Sequence, residues 1–109
     1  MFVAVYAWRV RPGKEEQFRA AWRRGTELIT ARYGSHGSRL HRALDGRYVG
    51  VAEWPDEATW RAAFAVKMVY DEPATRAAFV DAIEDGGEPL LLMEATDDLL
   101  TLHLSLIHI

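Results

Sequence analysis

Residues 2–10, FVAVYAWRV, decide the fold. The alternation of a strand puts Phe2, Tyr6, Trp8 and Val10 on one face and Val3, Val5 and Ala7 on the other. β-Branched and aromatic residues suit a pleated surface. Both faces are mostly apolar, so the segment reads as a strand covered on both sides. Pro12-Gly13 ends it. The stretch lacks a basic start and carries Arg9 and Arg11, which fits a strand and not a signal peptide.

Working outward, Lys14 to about Tyr33 reads as a helix. Glu15 and Glu16 sit in its first turn, where the helix dipole favours acids. Phe18, Trp22, Ile29 and Tyr33 fall close to one stripe, and Gly34 is a natural stop. Gly25 weakens the middle by about 1 kcal/mol relative to Ala, which points to a packing contact or a bend. Ser35–Gly37 form a loop. Residues 38–44 and 47–54 read as two strands joined by Asp45-Gly46, the dipeptide of a type I′ hairpin turn.

Asp56 is a good N-cap for a helix through about Met68, with Trp60 and Phe64 on one face. Pro73 fits the first turn of another helix, 73–85, whose buried side carries Phe79 and Ile83. Gly86-Gly87 ends that helix, and 89–96 reads as a last strand, apolar on both faces. The order β-α-β-β-α-(α)-β is that of a ferredoxin-like α+β fold with an antiparallel sheet. Helices cover only one face of such a sheet. The bare apolar face then calls for a second copy, and sheet-on-sheet homodimerisation is the simple solution.

The bulk properties narrow the function classes. At 109 residues the chain is one domain. The expected domain spans 1–102. The tail at 103–109, HLSLIHI, is either an extension of the last strand or an artefact of the sequence end. There is no cysteine, so disulfide and thiolate chemistry are excluded and a cytoplasmic location is the expectation. No run of about 18 apolar residues is present to span a membrane. Residues 1–76 hold all 13 Lys and Arg against 9 acids, a net +4; residues 77–109 hold 7 acids and no Lys or Arg, a net −7. This split is a solvated acidic end, or an acidic segment that docks on a basic surface of its own or of a partner. No basic stripe with interleaved aromatics suggests nucleic acid.

Four pieces together resemble the antibiotic biosynthesis monooxygenase family across roughly residues 2–98. They are the strand running into Val10-Arg-Pro-Gly-Lys-Glu-Glu-Gln-Phe18, the Gly37-Ser-Arg-Leu-His41 stretch, the Asp45-Gly46 hairpin, and Tyr48-Val-Gly-Val-Ala-Glu-Trp-Pro-Asp-Glu-Ala58. The resemblance implies a dimeric α+β barrel with a pocket between sheet and helices. Family members include cofactor-independent oxygenases of polycyclic phenols, haem-degrading proteins, and many without known activity. Fold alone does not choose among them. The haem-degrading branch uses an Asn on the first strand, a Trp on the later helix and a His ligand beyond. In this chain those positions fall near Tyr6, Ala63 or Phe64, and Phe79, and the sequence contains no Asn at all. Haem degradation is therefore not expected.

No metal is expected either, because His36 and His41 lack a third spaced ligand. No phosphate loop or nucleophile elbow is present. An oxygenase without a cofactor needs an apolar slot, a proton acceptor or hydrogen-bond partner, and a group that stabilises the substrate anion. The candidates for proton transfer are Tyr6, His41 and Tyr70. The candidates for holding an aromatic substrate are Trp8, Arg39, Trp60, Phe64 and Phe79. Each aromatic has a plain alternative role in core packing. Arg39 and His41 point the same way on their strand, opposite to Leu40 and Leu44. If the leucines face the helices, Tyr6 and Tyr70 are the better proton-transfer pair. A non-catalytic ligand-binding or structural dimer is the alternative function. A cavity large enough for a bicyclic ligand, with Tyr or His on its wall, favours the enzyme over it.

Overall fold

A computed structural model describes residues 1–101, and the tail at 103–109 lies outside them. The elements run β1 (Phe2–Val10), α1 (Glu15–Tyr33), β2 (Gly37–Arg42), β3 (Tyr48–Trp54), α2 (Glu57–Ala65), α3 (Pro73–Ala82) and β4 (Ile83–Glu94). The four strands form one antiparallel sheet in the order β2-β3-β1-β4. This is the expected ferredoxin-like α+β arrangement.

Register fixes which side chains share a face. Phe2 pairs with Trp54, Ala4 with Ala52, Tyr6 with Gly50 and Trp8 with Tyr48. All eight point to the helices. There they meet Phe18, Ile29 and Tyr33 of α1, Trp60 and Ala63 of α2, and Phe79 and Ala82 of α3. Val3, Val5, Val49 and Val51 lie on the other face, where no helix covers them.

Local chemistry accounts for the helix ends. Gly34 takes φ 81° and returns its N–H to the carbonyl of Thr30. The Asp56 carboxylate accepts from the Thr59 backbone N–H and hydroxyl, both at 2.7 Å. Pro73 opens α3 in its first turn. Lys14 and Gln17 of α1 both reach the Asp81 carboxylate, at 2.5 and 2.9 Å, and tie α1 to α3.

Three expectations are corrected. The helix expected to reach Met68 ends at Ala65. Lys67 and Met68 adopt φ of 57° and 48°, and their N–H groups return to the carbonyls of Phe64 and Ala63. This is a Schellman reversal, hidden in the sequence because Lys67 stands where glycine is usual. The Asp45-Gly46 hairpin is not a two-residue type I′ turn. Only Gly46 has positive φ, Gly46 N–H bonds to Ala43 O, and Ala43 N–H to Arg47 O. That pattern is a three-residue loop, a type I turn followed by a left-handed glycine. It shortens β2 to Arg42 and leaves Leu44 fully exposed.

The third correction concerns the last helix and strand. The helix expected over 73–85 stops at Ala82, and β4 already begins at Ile83, with Gly86-Gly87 inside it. A β-carbon on Gly86 would stand 2.3 Å from the Ala7 carbonyl oxygen, so only glycine lets the strand bulge past β1 there. The glycines shape a strand; they do not terminate a helix.

Candidate functional site

Small residues facing one another leave a hollow between sheet and helices. Ala52 on β3 looks toward Ala21 and Gly25 on α1, while large aromatics fill the surroundings. The result is a cavity of about 520 Å³, within the usual range for small-molecule sites. Its walls include Tyr6, Trp8, Trp54, Phe64, Tyr70 and Phe79, with Arg76 and Lys67 as the cations.

Two glycines make room for this wall. A β-carbon on Gly25 would lie 3.0 Å from the Tyr70 hydroxyl, and one on Gly50 would lie 3.0 Å from the Trp8 ring. The glycine that weakens the middle of α1 thus admits Tyr70, the packing contact its presence pointed to. Trp8 is further fixed by Tyr6, stacked at 6.0 Å, and by Phe79, edge-on at 5.7 Å.

Tyr6 has a fixed partner behind the cavity wall. Its hydroxyl oxygen accepts a 2.8 Å hydrogen bond from Trp60 Nε1. Trp60 is itself buried and stacks on Phe64 at 4.8 Å. Desolvation raises the Tyr6 pKa above its ordinary value, against the opposing effect of the Trp60 hydrogen bond. Tyr70 is also raised, again chiefly by desolvation, with Arg76 opposing. Both phenols therefore hold their protons at neutral pH and can donate hydrogen bonds.

Trp54 Nε1 is a buried donor with no acceptor among the described residues. A buried orphan donor is costly; Trp54 lines the cavity, yet its Nε1 is itself closed off from it. No single-sequence signal separates such a tryptophan from a packed one. Arg76 and Lys67 were missed as cavity residues because their placement depends on the reversal after α2 and on the start of α3.

Of the expected site residues, the fold brings Tyr6, Trp8, Phe64, Tyr70 and Phe79 to the cavity wall. Trp60 stands one layer behind and orients Tyr6. His41 and Arg39 lie apart from them, exposed on β2, in a separate groove between α1 and β2. Leu40 packs toward the helices, while Leu44 lies beyond the end of β2 and is fully exposed. Among the described residues no three His, Asp or Glu side chains cluster as metal ligands. No described helix is long and apolar enough to cross a membrane.

A sheet of this order with helices on one side defines a ferredoxin-like α+β fold, here with an aromatic cavity between the two layers. The family model for antibiotic biosynthesis monooxygenases matches residues 1–69, and the chain belongs to that family. Among solved structures, a Bordetella bronchiseptica protein of the antibiotic biosynthesis monooxygenase type is 21% identical, with a TM-score of 0.70 over 87% of this chain and 96% of that one. SnoaB, a cofactor-independent oxygenase from Streptomyces nogalater, is 21% identical, with a TM-score of 0.65 over 90% of this chain and 95% of SnoaB. An uncharacterized NIPSNAP domain protein from Burkholderia xenovorans is 20% identical, with a TM-score of 0.64 over 88% and 95%. At these identities the likeness shows the fold. No curated protein matches the chain in sequence.

Proposed function

We propose that the protein is a cofactor-independent monooxygenase acting on a small phenolic or quinol-type aromatic compound. The observation that carries this reading is the Tyr6 hydroxyl, held by Trp60 Nε1 on the wall of an aromatic cavity of about 520 Å³. Family membership and the SnoaB-like fold support it. The cavity has room for a bicyclic ring and has tyrosines on its wall, the feature that favours an enzyme over a purely structural dimer.

The chemistry asks little of the protein. The phenol loses a proton, and its anion is electron-rich enough to reduce dioxygen. The ring carbon gains one oxygen atom as a carbonyl. The second oxygen atom leaves as water with the two hydrogens lost by the substrate. Aromatic walls would clamp the ring, and Arg76 and Lys67 would favour the anion. Tyr6 accepts from Trp60, so its own proton is free to be given to a developing oxygen anion.

The open sheet face suggests the assembly. Val3, Val5, Val49 and Val51 carry no polar handle, and Leu91 and Met93 beside them are 55% and 40% exposed. A second copy of the chain packed on this face would shield them. The protein should sediment at about 25 kDa, twice the 12.4 kDa chain. A monomer at micromolar concentration would contradict the assembly.

Oxygen uptake with a panel of anthrone-like phenols, without added metal or flavin, tests the activity. Turnover that falls about 100-fold in Tyr6→Phe is the expected result. No turnover across the panel overturns the enzyme reading.

A further inference from the structure

We propose that the groove between α1 and β2 is an acid-recognition site. It holds a carboxylate carried by the same molecule whose ring occupies the cavity, and so rests on the reading of the cavity as an aromatic-substrate site. The groove is a second hollow, of about 580 Å³, lined by Arg19 and Arg23 of α1 and by Arg39, His41 and Arg42 of β2.

Charge pairing separates this groove from part of the surface. Four arginines elsewhere find acids: Arg9 meets Asp85, Arg24 meets Glu72 and Glu27, Arg47 meets Asp45, and Arg61 meets Glu57, whereas among the described residues Arg11, Arg32 and Arg76 do not. No carboxylate lines the groove. Among the described residues none of its four arginines has an ion-pair partner. Arg19 and Arg23 stand one turn apart on α1, a spacing at which like charges repel. Of the four, Arg19, Arg23 and Arg42 stand on the helix side of β2, while the register sets Arg39 opposite Val51 on the other face; three such guanidinium groups in a chain of net charge −3 are a local reversal of sign. An anion relieves their repulsion and is drawn to them.

One of the four is pre-set. Arg42 donates from Nε to the Gly46 carbonyl at 3.0 Å and from Nη1 to the Tyr48 hydroxyl at 2.9 Å, and its guanidinium lies 4.6 Å from the Tyr48 ring centre. That leaves Nη2 without a partner and costs little further ordering when an anion arrives.

The groove also adjoins the cavity. Trp22 and Ser38 line both hollows. A ligand whose ring lies among Trp8, Phe79 and Trp22 would thus direct a substituent past Trp22 toward the arginines. The ligand class is an aromatic hydroxy acid, with its phenol in the cavity and its carboxylate in the groove. Guanidinium forks match a carboxylate with two parallel hydrogen bonds.

The test compares a naphthol with the corresponding hydroxynaphthoic acid, binding each to the full chain by calorimetry at low and high salt. The variant is Arg19→Ala with Arg23→Ala, two exposed side chains whose loss should leave the fold intact. The acid should bind at least about tenfold tighter than the naphthol at low salt. High salt should reduce that preference, and the double variant should lose it while keeping naphthol affinity.

Equal affinity for the two compounds in the native protein overturns the proposal, as does a preference that survives in the double variant. Inorganic phosphate that occupies the groove without weakening the acid's binding also overturns it, in favour of a free-anion site. So does a double variant that changes sedimentation but not ligand preference, which would assign the groove to the acidic segment of a second copy. Oxygen uptake is read separately. A tenfold preference without uptake supports the groove while the enzyme reading fails; uptake without preference does the reverse. Binding of neither compound overturns both.

Discussion

The two faces of the sheet are built from the same strands and differ in kind. The covered face carries Phe2, Tyr6, Trp8, Tyr48 and Trp54, rings with polar handles, interrupted by Ala4, Gly50 and Ala52. The open face carries Val3, Val5, Val49 and Val51 at its centre, with Glu53 opposite Val3 and, on the β2 side, Arg39 and His41 opposite Val51 and Val49. Rings with small residues between them leave a hollow and give it hydrogen-bond donors. On the open face the valines form an aliphatic patch, and the polar groups of that face stand beside the patch instead of within it. Burial alone does not distinguish a site from an interface here; what distinguishes them is whether polar atoms lie within the apolar area.

Substitutions can break or sharpen that contrast. Phe18 is fully buried and touches Trp8, Tyr48 and Phe79 on the covered face. Phe18→Ala should cost about 3–5 kcal/mol in denaturant unfolding, and a loss below 1 kcal/mol would mean that the rings do not form one packed unit. On the open face, Val51→Lys should leave the fold in place. It should weaken dimerisation about 100-fold, near 2.7 kcal/mol, as measured by sedimentation against concentration. Equal oligomeric states in the two proteins would show that the valine face is not the interface.

Tyr6→Phe is a smaller change on the covered face. It removes the acceptor of Trp60 Nε1 and should cost about 1–2 kcal/mol of stability, checked by the denaturation midpoint. The pH dependence of the same residue is smaller still. Its folded pKa is raised, so the unfolded chain gives up the proton first. The associated stability is fully present below about pH 10, the ordinary tyrosine value, and is lost as pH rises from there through the folded pKa. Unfolding of native protein and Tyr6→Phe, compared from neutral to alkaline pH, should show the native protein losing stability more steeply above that point. Parallel curves would indicate that Tyr6 is not desolvated.

Much of the fold was legible because its signals are local. The two-sided apolar strand at 2–10, Gly34 after α1, Asp56 before α2 and Pro73 at α3 each act through their own neighbours. The errors fell where a distant contact decides. Gly86-Gly87 looks like a helix stop until β1 lies beside it and Ala7 O takes up the space a β-carbon would need. Lys67 ends a helix without the glycine that would announce it. The cavity was half legible. Aromatic residues on the covered face marked Tyr6, Trp8, Phe64 and Phe79, but Arg39 and His41 were drawn in by their chemistry alone. Their strand register sends them elsewhere. Trp54 was missed as an orphan donor because a missing acceptor is a property of three-dimensional surroundings.

Gly25 has a practical consequence for anyone engineering the protein. Helix propensity singles it out as the first position to replace by alanine, since it sits in the interior of a 19-residue helix. With the Tyr70 hydroxyl 3.0 Å from where the new methyl would stand, that hardening of the backbone would push the phenol aside and redraw the bore of the chamber. A gain in helix stability at this position should therefore come with a change in the shape of the cavity.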